Sequence, residues 1–135
     1  MDVIEIKEGE IVLARHVPAA CAWKDGLNFF SPDGDFQQVG TWGYDAGKTL
    51  AAHAHNEVQR TVPWTQEVLY VRSGRLRARI FDSADRQVAE LDAGPGDILI
   101  LLAGGHGYEI LEAGRQVLEI KNGPYDGPEL DRRRL

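Results

Sequence analysis

Short apolar runs recur every eight to twelve residues along the chain, separated by Gly, Pro, Asp and Asn, and no stretch carries the 3.6-residue period of a long amphipathic helix. The pattern predicts an all-β domain with strands over 3–7, 11–17, 36–44, 49–55, 66–72, 75–81, 87–91, 97–102, 107–112 and 116–121. Alternation is cleanest in RLRARIF, where Leu76, Ala78 and Ile80 take the core face. Arg75, Arg77 and Arg79 take the other, as an exposed stripe or part of a subunit interface. The RSGR turn places Gly74 where a tight turn needs positive φ, and predicts a hairpin between 66–72 and 75–81. So many short strands in one domain point to a sandwich or a closed barrel, which bury one face of every strand. From residue 122 onward two prolines, two glycines and a charged end predict a loop packed over the domain with a solvated terminus.

At 135 residues and 43% hydrophobic content the chain suffices for one domain, 1–135, with one core. A formal charge of −6 disfavours nucleic-acid partners. The opening MDVIEIKEGE has no basic, apolar leader, and no apolar run approaches the roughly 20 residues that span a bilayer, so a cytoplasmic protein with no membrane partner is expected. Cys21 reads as a small hydrophobe and His16 as a surface residue. Trp23, Trp42 and Trp64 read as core or interface anchors, with Trp64 able to line the mouth of a pocket.

The chemistry concentrates in four side chains. His53 and His55 lie two apart on the strand predicted over 49–55, so both imidazoles share a face, as a pair of metal ligands requires. Glu67 heads EVLYVRSG and shares a face with Leu69 and Val71, where a lone carboxylate is costly to bury and a metal would relieve the cost. His106 lies in the glycine-rich AGGHGYE, whose Gly104, Gly105 and Gly107 allow a tight approach. Glu57 is a rival carboxylate. Tyr108 shares a face with His106 and is the candidate catalytic hydrogen-bond donor, with a packed Tyr as the plainer reading. Glu119 and Lys121 share a face opposite Leu118 and Ile120. Parity leaves open which pair points inward, a solvated charged face being favoured over an inward couple that would orient an anionic substrate or move protons.

GKTLAAHAH, EVLYVRSG and GPGDILILLAGGHGYEI together resemble the two motifs of the cupin superfamily. Gly47, His53, His55, Glu67 and Gly74 follow the first motif, and Gly96 and His106 anchor the second, over roughly residues 40–112. The chain departs from the pattern in two places. Eleven residues separate His55 from Glu67 where the family has a short spacer, and Leu102 stands in place of the second motif's proline, with one residue instead of two between Gly104 and His106.

The resemblance is to small single-domain cupins, and it implies a double-stranded β-helix, or jelly-roll barrel, and commonly a homodimer. It also implies one divalent ion, Fe, Mn, Ni, Zn or Cu, held by His53, His55, Glu67 and His106. Such a site would serve an oxygenase, isomerase or lyase acting on a small polar molecule or anion. The alternatives are a non-catalytic binding protein and a metal-free relative of sugar-nucleotide epimerases.

Overall fold

A computed structural model describes residues 2–135. The chain runs β1 (Ile4–Glu8), β2 (Ile11–Val17), α1 (Ala19–Ala22), β3 (Gly26–Phe29), β4 (Gly40–Gly43), β5 (Glu67–Ser73), β6 (Leu76–Phe81), β7 (Gln87–Ala93), β8 (Ile98–Leu101), β9 (Gly105–Ile110), β10 (Gln116–Lys121) and α2 (Pro128–Asp131). The all-β expectation holds, with each helix only one turn long. The strands form three antiparallel sheets, β1-β2-β8-β5-β10, β7-β6-β9 and the ribbon β3-β4. Among the described residues these sheets remain separate and do not close into a barrel.

The five-stranded sheet is the middle layer, and its sequence says why. Every residue of ILIL in β8 is buried, because Leu99 and Leu101 face one core while Ile98 and Ile100 face another. A strand covered on both faces reads as a continuous apolar run. The first core lies between this sheet and the three-stranded one, with Leu13, Leu69 and Val71 against Leu76, Ala78, Ile80, Leu91 and Ala93. The second lies on the outer side, where Cys21 and Ala22 of α1 cover Val17, Val68 and Ile98, joined by Phe30 and Val39. β6 keeps solvent on one side and therefore shows the strict alternation expected of it, with Leu76, Ala78 and Ile80 all buried.

Three expectations about elements are corrected. β5 and β6 do not form a hairpin: β5 pairs with β8 and β10, and β6 pairs with β7 and β9. The turn between them does contain Gly74 at φ 77°, but its role is to carry the chain from one layer to the next, and a Cβ there would lie 2.5 Å from Cβ of Arg115. No strand forms over 49–55, since residues 44–66 adopt no regular structure and 44–64 are exposed. The strand expected over 36–44 shrinks to β4, whose partner β3 escapes the hydrophobic pattern because GLNF is too short to establish a period.

Candidate functional site

The site forms where ends of the two larger sheets meet. Glu67 opens β5 and Lys121 closes β10, and the two residues are directly paired in the register. Glu67 shares its face with Leu69 and Val71, which enter the core between the sheets. Across that core, His106 and Tyr108 on β9 pair with Ile80 and Ala78 on β6, whose side chains fill the same layer. Gly104, at φ 70°, turns the chain into β9; a Cβ there would stand 2.2 Å from the carbonyl oxygen of Phe81, so only glycine fits ahead of His106.

Three side chains, those of His106, Tyr108 and Lys121, converge on the Glu67 carboxylate. Glu67 Oε2 accepts from His106 Nε2 at 2.9 Å and from the Tyr108 hydroxyl at 3.0 Å, while Lys121 Nζ stands 3.6 Å from Oε1. The hydrogen bond from His106 is the main influence on Glu67; burial opposes it, and the carboxyl pKa still falls to about 2. Glu67 is therefore an acceptor at neutral pH, which assigns the Nε2 proton to His106. Burial first, and the Glu67 charge second, push the Tyr108 hydroxyl well above its ordinary range, so it remains a donor.

On β10, Lys121 reaches Glu67 and Glu119 stands 4.0 Å from Lys121, on the face whose Val117 packs against the core, yet both stay exposed, as Leu118 and Ile120 do on the other face. The charged pair therefore joins the rim of the cluster while keeping the solvated character expected of it.

His53 and His55 are elsewhere. They sit side by side on the exposed 44–64 segment, ring centroids 5.1 Å apart, but on irregular backbone and not on one strand face. His53 Nδ1 lies 3.1 Å from the carbonyl oxygen of Ala51; an N–H there donates to it and leaves Nε2 with its lone pair, the arrangement of a metal-ligating imidazole. Glu57 is on the same segment and exposed. The structure thus brings Glu67, His106, Tyr108 and Lys121 together and leaves His53, His55 and Glu57 apart from them.

As to a metal, Glu67 and His106 fit two neighbouring positions. Their 2.9 Å separation is that of the hydrogen bond between them, so an ion held by both would have to displace the His106 Nε2 proton. Among the described residues no three His, Cys, Asp or Glu side chains are grouped to hold an ion.

Sequence reasoning placed other residues wrongly or missed them. His16 is buried, its Nε2 3.0 Å from Asp97 Oδ2, and Asp97 also accepts from the backbone amides of Ala19 and Gly94. A tie across 81 residues of sequence leaves no local signal. Arg15 is likewise buried and ion-paired to both Glu5 and Asp35. The three tryptophans are half exposed or more, so of the core and interface alternatives the core one falls, while Trp64 lines a groove as expected; Trp23 and Trp64 each donate to a backbone carbonyl, of Gly96 and Leu102 respectively. Arg77 forms a two-pronged pair with Asp92 on the neighbouring strand, at 2.7 and 3.1 Å, as an outward stripe would. Two surface grooves run past Arg15, one along Phe29, Phe30 and Pro32 and the other along Trp64 and Leu102; neither is lined by Glu67.

Compared with known proteins, the chain matches no family model, no curated protein and no solved structure.

Proposed function

We infer that the chain is a cupin-type protein that acts on a small oxygenated molecule, a carboxylate or sugar-like compound, with one divalent ion held by Glu67 and His106 and, only after a rearrangement of the exposed 44–64 segment, by His53 and His55 as well. The observation that carries this reading is the placement of Glu67 and His106, from two different sheets, 2.9 Å apart: they share a hydrogen bond, and an ion would take the place of its proton, released to solvent. The donor types support it, since imidazole and carboxylate together suit the borderline divalent metals. Bound there, the ion would supply Lewis-acid polarisation of substrate oxygens. The chain's own groups do the rest. Lys121 neutralises charge on the Glu67 side, and the Tyr108 hydroxyl, held in its protonated form, donates a hydrogen bond. Elemental analysis of protein purified without added metal, followed by turnover assays over a panel of carboxylates and sugars, tests it. One ion per chain with turnover is expected. One ion with tight binding and no product would leave a binding protein, and no affinity for any divalent ion would overturn the reading.

A second reading draws on the shared use of Glu67 Oε2 by His106 and Tyr108. An imidazole oriented by a carboxylate beside a protonated phenol is a proton-transfer arrangement, as in metal-free sugar-nucleotide epimerases, with His106 as base and Tyr108 as donor. Deuterium exchange from solvent into a keto-sugar substrate by metal-free protein would favour it; retention of all substrate hydrogens would exclude it.

A further inference from the structure

One segment and one strand edge of this chain each lack the partner their residues call for. Residues 44–64 are exposed and adopt no regular structure, although 49–55 alternates, with Leu50, Ala52 and Ala54 at one parity and His53 and His55 at the other. The segment passes Gly47, at φ 92°, and is rooted at its far end by Asn122, which bonds the carbonyl of Trp64 and the amide of Gln66. β10, just before Asn122, is the last strand of the five-stranded sheet and pairs with β5, so among the described residues its outer edge is open. An open edge offers a row of free amides and carbonyls, a template for another strand. Here it is flanked by two large apolar side chains, Leu118 at 55% exposure and Ile120 at 51%. Its other face carries Glu119 and Lys121, the latter in register with Glu67.

We propose that two copies of the chain exchange these segments: residues 49–55 of each copy add to the β10 edge of the other as a sixth strand, giving a two-fold dimer. Alternation fixes the face. With Leu50, Ala52 and Ala54 beside Leu118 and Ile120, His53 and His55 fall on the face of Glu119, Lys121 and Glu67, two strand spacings, about 10 Å, from Glu67. A slip of one residue would set the histidines against Leu118 and Ile120 and Leu50 against the charged pair. Two observations favour a second copy over the chain's own edge. The segment is tied at both ends, to β4 and to Asn122, and within one chain it pairs with no strand. Exchange is also reciprocal, so each copy brings both the 44–64 segment and the six residues of β10, which together match the roughly 20–30 residues a side of a standard interface. The dimer stands independently of the metal reading; only the use of His53 and His55 as ligands rests on it.

The test is light scattering on the full chain as it elutes from a sizing column, after chelation and dialysis. A mass of two chains is expected. It should fall to one chain in the double variant Ala51→Pro, Ala52→Pro, which denies the added strand a ladder donor at either parity, and in Ile120→Lys, which puts charge on the apolar face. All three positions are exposed, so circular dichroism should match wild type and separate loss of the dimer from loss of the fold. Oxidation of Ala52→Cys combined with Leu118→Cys, or with Ile120→Cys, then tells exchange from docking within one chain, with the wild type and its buried Cys21 as control. A disulfide between chains in either pair supports the proposal. A monomeric wild type, a dimer that persists in both folded variants, a disulfide closed within one chain, or none in either pair overturns it. A monomer that binds one ion overturns the exchange alone, whereas an exchanged dimer with no affinity for any divalent ion supports it and removes the metal reading.

Discussion

Glu67 is a carboxylate held ionised by its neighbours, and this has a consequence for stability. Its folded pKa, about 2, lies below the ordinary 4.5, so its contribution is fully present above pH 4.5 and is lost as pH falls towards 2. The shift corresponds to about 3 kcal/mol. Urea unfolding midpoints measured from pH 5 to pH 3 should therefore fall more steeply in wild type than in Glu67→Gln; parallel curves would show that Glu67 is not the group responsible. Tyr108→Phe removes one donor from the same oxygen and should cost about 1–2 kcal/mol while leaving the fold intact, since the ring remains to pack. A melting temperature equal to wild type would place the hydroxyl in water. At this scale much of the site was legible. Glu67, His106 and Tyr108 were each read from face-sharing and motif order, and they do meet. Lys121 was half legible, because alternation pairs it with Glu119 but cannot orient the pair.

Elements divide according to how many of their faces are covered. β6, with one wet face, announces itself by alternation, and β8, with none, by an unbroken apolar run. What neither pattern carries is the partner. RSGR looks like a hairpin turn because Gly74 needs positive φ in either case, and only the packing of Arg115 against it distinguishes a layer crossing from a hairpin. Gly74→Ala should accordingly destabilise by about 1–3 kcal/mol, through positive φ and the clash together. An unchanged urea midpoint would mean that the two strands tolerate a different crossing. The segment 49–55 shows the opposite failure. Its residues alternate acceptably, yet no neighbouring strand pairs with it, and a strand without a ladder has nothing to satisfy its backbone except water.

For the whole molecule, a central sheet with a core on each face makes the two layers interdependent, and the polar ties between distant elements hold them in place. Asp97 is the clearest of these, fastening β2, α1 and the turn before β8 through three hydrogen bonds. Asp97→Ala would strand two backbone amides and His16, at a cost of about 2–4 kcal/mol read by thermal unfolding; a loss below about 0.5 kcal/mol, the size of a surface substitution, would contradict that role. The same architecture sets Glu67 and His106 against each other from different sheets, which is the basis of the functional reading. That reading stands or falls on metal stoichiometry. Inductively coupled plasma mass spectrometry of the purified full chain, repeated on His53→Ala and His106→Ala, is predicted to give one divalent ion per wild-type chain and a sharp loss in both variants. Undiminished metal in both variants, or no metal in a wild type that also fails to take up added Fe, Mn, Ni, Zn or Cu, would contradict it.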